Sequence, residues 1–148
     1  MMEAGTPSWA HKVSPERVKA WQQAVIDGRR IVADAERRAT YPANADPDTV
    51  ALCEHFRLQY KQGRILKALS FSYAVSASEL VDLTGVHPAL IKMEVHHTSR
   101  RTGMQIFVVS DRGRLPVLFR LVNENDCKRV RDVVTASWSE HLSLNRVA

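Results

Sequence analysis

The segment Ser76 to Glu94, SASELVDLTGVHPALIKME, limits the folds open to this chain more than any other stretch. Ser76 or Ser78 offers a hydroxyl cap for a short helix ending near Leu83, and Gly85 suits the left-handed residue of a tight turn. Val86 is then an apolar plug, and Pro88 fits the first turn of a second helix, where its missing N–H costs nothing. Leu90 and Ile91 are expected to face inward against Leu80 and Val81. Two short helices so joined expose one long face of the second.

Taking Ile91 as inward and stepping about 100° per residue, Ala89, Lys92, Met93, His96 and Arg100 share the opposite face of that second helix. Charge points to the same place. Residues 92–114 carry five bases against two acids, whereas residues 1–46 carry seven against six and those from 123 onward four against four. The whole chain has a net charge of +5, but a phosphate backbone responds to the field of one face, so the local excess is the stronger signal.

The run TGVHPALIKME resembles the turn and recognition helix of helix-turn-helix transcription regulators. RILKAL at 64–69 is similar to the first helix of winged-helix regulators of the MarR and ArsR kind. The resemblance spans about residues 64–122 and implies duplex DNA as partner, with His87, Ala89, Lys92, Met93, His96, Arg100 and Arg101 at the interface. It implies Lys92 as the principal reader of a base edge in the major groove. One residue departs from the pattern: Glu94 stands where such proteins place an apolar side chain. Either Val95 takes over that packing, or Glu94 is exposed and the helix is rotated. A fainter similarity, in LIK followed by a basic stretch and Gly-Met, links the chain to the C subunit of the flagellar master activator, whose zinc-binding cysteines are absent here.

Past Arg101-Thr-Gly103 the period changes from helical to extended. MQIFVVS (104–110) and LPVLFRLV (115–122), separated by Asp-Arg-Gly-Arg, predict a hairpin with Gly113 in its turn. Pro116 restricts its strand to a sheet edge or a bulge. Arg112 and Arg114 at the tip are candidate contacts to phosphate or to a minor groove.

Flanking helices complete the reading. Ser14-Pro15-Glu16 predicts a helix start, with Val18, Trp21, Val25, Gly28, Val32, Ala35 and Ala39 as a narrow seam to about Arg38. TYPANADP is a loop, and Asp46-Pro47 starts a second helix to about Gln62, with Gly63 ending or bending it and Arg64 to Phe71 continuing as another helical stretch. A last helix from Glu124 to Leu142, introduced by Asn123, carries Val130, Val133, Val134, Trp138 and Leu142. It packs either on the central domain or in a dimer with the first helix.

The predicted fold class is therefore mostly α with a small β-hairpin wing: a winged helix-turn-helix with flanking N- and C-terminal helices. The expected divisions are a flexible N-terminus (1–13), a helical arm and linker (14–45), the winged domain (46–122) and the C-terminal helix (123–148). No GxSxG, HExxH or P-loop occurs, and no reaction is expected. His87, His96 and His97 point in different directions on a helix, and Cys53 and Cys127 form no CxxC pair, so neither a metal nor another cofactor is expected. No apolar run reaches membrane-span length and no signal peptide is apparent, which predicts a cytoplasmic protein. The expected function is sequence-specific duplex DNA binding as a homodimer through the N- and/or C-terminal helices, in transcriptional regulation. Two alternatives stand beside it: a protein-binding adaptor or coactivator, and a mobile-element replication or partition protein.

Overall fold

A computed structural model describes residues 14–111 and 114–147; the side chains of residues 110, 111, 114–116 and 141–147 are not described. The expected flexible N-terminus (1–13), and Arg112 and Gly113 of the hairpin tip, lie outside the described residues. The chain is mostly helical with a small antiparallel sheet, and it divides into two compact units, residues 1–36 and 37–148.

The first unit holds most of helix α1 (Pro15–Arg38). Ser14 starts it as expected, its Oγ accepting the Arg17 amide at 3.4 Å. Between residues 15 and 36 no side chain is buried, so the helix contributes nothing to a core of its own.

The second unit begins with the last turn of α1, where Arg37 is buried. Its guanidinium donates to the Cys53 carbonyl (2.9 Å) and to the Tyr41 hydroxyl (2.7 Å), and it pairs with Glu54 (3.2 Å). Arg38 reaches the same carboxylate at 2.9 Å. Helix α2 (Pro47–Phe56) follows, with Pro47 in its first turn as expected. The break between this helix and the next, predicted at Gly63, falls earlier, at residues 57–59. Arg57 adopts a left-handed conformation (φ 56°), the buried Leu58 plugs the break, and α3 (Tyr60–Phe71) starts afresh behind a reciprocal Gln59–Gln62 capping box. Gly63 neither ends nor bends a helix. It lies inside α3, and a Cβ there would collide with Cys53 Sγ and crowd Thr49, so α2 and α3 approach each other closely at this point.

Strand β1 (Val75–Ser76) leads directly into α4 (Ala77–Thr84), whose N-terminus Ser76 caps by accepting the Glu79 amide at 3.1 Å. Gly85 closes α4 with φ 71°, as its place in the sequence requires. Pro88–Leu90 then forms a 3-10 turn, and α5 (Ile91–Thr102) runs from it to Gly103. The tighter winding of that turn has a cost to the prediction: Leu90, expected inside, is 47% exposed, while Ile91 is buried.

Strands β2 (Ile106–Asp111) and β3 (Arg114–Leu121) pair antiparallel, and β1 joins the other side of β3, giving the order β1-β3-β2. Pro116 thus belongs to the central strand. It is tolerated because β1 reaches only Leu118 and Phe119, and because the pairing slips: Val109 faces Leu118 but Asp111 faces Arg114, leaving a bulge at 115–117. Helix α6 (Glu124–Val147) starts at Asn123, whose Oδ1 accepts the Asn125 amide at 2.8 Å. It packs on α2 and α3, with Val130 and Val134 fully buried, so the first of the two arrangements left open for this helix is the one observed. Trp138, expected on the apolar face, is 49% exposed and its indole N–H is hydrogen-bonded to Asp48. One apolar cluster joins the elements of the second unit from α2 to α6, and includes Leu52, Ile65, Leu66, Leu80, Phe119 and Val130. Among the described residues no helix is long and apolar enough to cross a membrane.

Candidate nucleic-acid interface

Helix α5 is two-faced. Ile91, Glu94, Val95 and Thr98 are buried, at the spacing of one helical stripe, and the opposite stripe of Lys92, Met93, His96 and Arg100 is exposed. Ala89, exposed in the preceding turn, extends that outer stripe by one step. The five outward residues named from the helical wheel therefore share one solvent-facing surface.

What fixes this rotation is the residue that broke the expected pattern. Glu94 is neither replaced by Val95 nor exposed: both are buried, at 5% and 3%. The carboxylate of Glu94 is satisfied by two residues of α3, accepting from Lys61 Nζ at 3.0 Å and from Gln62 Nε2 at 3.3 Å. Gln62, 1% exposed, also takes the Gln59 amide and Arg101 Nη1 on its Oε1, at 3.2 and 3.0 Å. The polar chain Lys61, Glu94, Gln62, Arg101 ties α5 to α3 with each charge paired or hydrogen-bonded, which is the condition for burying a carboxylate without a large penalty. Thr98 completes the inner face by donating to the Glu94 carbonyl at 2.8 Å.

The remaining candidates are placed differently. His87 is exposed and caps the 3-10 turn, its Nδ1 accepting the Ala89 amide at 3.1 Å. Arg101 is exposed but its guanidinium is held toward Gln62 and away from the outer stripe. Arg114 opens β3, with its side chain not described, and Arg112 lies outside the described residues. His96 and His97 are neighbours at 6.4 Å between ring centroids, and no group of three metal-ligating side chains occurs among the described residues.

Sequence reasoning did not find Lys61 or Gln62. The available signal was Gln59-x-x-Gln62, a capping pattern three residues apart, which would have started α3 at the right place and turned Gln62 inward.

The sheet beside α5 exposes Phe107, Val108 and Val109 on the edge strand β2. Arg120, on the central strand β3, lies over the Tyr73 ring at 4.8 Å and donates to its hydroxyl at 2.9 Å. Comparison with protein-family models, with curated proteins and with solved structures finds no match to this chain.

Proposed function

We propose that this protein binds duplex DNA in a sequence-dependent manner, through a winged helix-turn-helix whose reading helix is α5, and that it serves in transcriptional regulation. The observation that carries the reading is the one-sidedness of α5. A helix anchored along Ile91, Val95 and Thr98 presents Lys92, Met93, His96 and Arg100 as a continuous exposed row. A row of this width fits a major groove, where lysine donates to guanine and methionine or alanine meets a thymine methyl. The succession α3, β1, α4, α5, β2, β3 supports the winged arrangement, with β2 and β3 as the wing and Arg112 and Arg114 near its tip as phosphate contacts.

In this reading the protein acts as a homodimer. Helix α6 uses Val130 and Val134 within its own unit, which leaves the seam of α1 from Val18 to Ala35 as the dimer contact. The exposed Phe107, Val108 and Val109 favour a second reading, an adaptor that holds another protein on the wing.

Selection from a pool of random duplexes at two salt concentrations tests the proposal. A recovered palindrome, with binding that weakens steeply as salt rises, is the expected result. Absence of any enriched sequence together with salt-insensitive retention would overturn it.

A further inference from the structure

A second constellation lies away from α5. The end of α3, the loop after it, the end of β3 and the first turns of α6 enclose a cavity of about 250 Å³, lined by Ser70, Ser72, Tyr73, Arg120, Glu124 and Arg131 among others. At its mouth Tyr73 is 81% exposed, yet its ring is not loose: the Arg120 guanidinium covers one face and also donates to the hydroxyl. An aromatic ring fixed by an arginine, with the other face open, is a stacking platform prepared before any ligand arrives.

The charged groups define what would stack there. Arg120 and Arg131 both line the cavity, against the single acidic residue Glu124. Guanidinium forks match phosphate oxygens in pairs. Glu124 disfavours a bare anion and suits a ligand that carries hydroxyl or amino donors beside its phosphate. A flat ring, a phosphate and a donor-bearing edge together describe one chemical unit.

We propose that this cavity is a nucleotide site, in which a base stacks on the open face of Tyr73, the phosphate is held by Arg120 and Arg131, and Glu124 accepts from a sugar hydroxyl or a base amino group. The unit is either a free mononucleotide or an unpaired nucleotide within a strand. The site goes beyond the duplex reading of α5 and shares no residue with it.

Calorimetric titration of the full chain with adenosine monophosphate, hexathymidylate and inorganic phosphate tests it. The expected result is that the monophosphate or the oligonucleotide binds at least about tenfold more tightly than phosphate alone. Tyr73→Ala should weaken that binding about five- to a hundredfold, the range that stacking on one ring supplies, and Tyr73→Phe should retain most of it. Tyr73 is too exposed for either change to disturb the core. Tight binding of the monophosphate alone identifies a free nucleotide as the ligand, and tight binding of the oligonucleotide alone identifies a strand. Lys92→Ala should leave all of these titrations unchanged while weakening duplex binding, so the two sites fail separately. Monophosphate and oligonucleotide both binding no better than phosphate, or Tyr73→Ala binding as well as the parent, would overturn the assignment.

Discussion

The ammonium of Lys61 and the carboxylate of Glu94 lie 3.0 Å apart across the α3–α5 contact, with Glu94 buried and Lys61 partly exposed. Removing the carboxylate and removing the polarity have different consequences there. Glu94→Ala leaves a void and strips Gln62 of an acceptor, and is expected to cost about 2–4 kcal/mol. Glu94→Leu fills the space with an apolar side chain of similar size, and should cost less than about 1 kcal/mol. Urea unfolding of the two variants checks this; equal losses would show that the pairing of the side chain and not its volume matters.

Gly63 is predicted to be intolerant of the smallest addition. Gly63→Ala drives a methyl group into Cys53 Sγ and should destabilise by about 1–3 kcal/mol, although alanine is the better helix former. Cys53→Ala in the same chain removes the obstructing sulfur. A double-mutant cycle by chemical denaturation should therefore give a favourable coupling between the two changes.

Arg57 holds a conformation that glycine adopts at no steric cost. Arg57→Gly should raise stability by about 0.5–1 kcal/mol, the relief of the left-handed strain outweighing the extra freedom of the unfolded chain. A lower denaturation midpoint for the variant would contradict this.

Acid should loosen the ion pairs that Glu54 and Asp46 make within the second unit. The hydrogen bond from Arg38 holds the Glu54 carboxyl below its usual range, partial burial opposes it, and Arg37 adds to the lowering. At Asp46 burial pulls upward, but hydrogen bonds from Lys67 and Thr49 leave its pKa lowered as well. A carboxyl whose folded pKa is depressed contributes stability that is complete above its unfolded value and is lost as pH falls through the folded one. The contribution is thus intact above about pH 4.5 and erodes below it. Glu54→Gln should flatten the loss of stability between about pH 4.5 and pH 2 in thermal melts. The same acid slope in parent and variant would count against Glu54 as a source.

On DNA, Lys92→Ala should cost about 1–3 kcal/mol and relax preference at one base pair, whereas Arg112→Ala should weaken all duplexes alike. Fluorescence anisotropy on a selected site and on random duplex separates the two. Equal weakening of both duplexes by Lys92→Ala would rule out its role as reader.

The parts of the fold legible in the sequence are those governed by local chemistry. Ser14, Ser76, Gly85 and Asn123 each act where their side chain or its absence dictates, and the hairpin follows from the change of period after Gly103. The misreadings share another cause. Arg57 takes a left-handed turn without glycine because Leu58 gains full burial by it, a tertiary reward that no local pattern contains. Glu94 looked like an error in an apolar stripe because its partners, Lys61 and Gln62, come from a helix about thirty residues earlier. The outward row on α5 needed only periodicity, whereas the diversion of Arg101 to Gln62 needed the contact itself. Tyr73 and Arg120, 47 positions apart, carried no signal to join them.

The bond between Trp138 and Asp48 spans 90 positions, and it marks a constraint on how the chain is made. Helices α2 and α3 pack against α6, so the apolar cluster they share with Val130 and Val134 is not complete until α6 has left the ribosome. During that interval α5 and the hairpin are already synthesised, but Val130 and Val134 are missing from the core they share. A premature stop before residue 124 should therefore yield no small working domain, only a chain handed to chaperones or proteases.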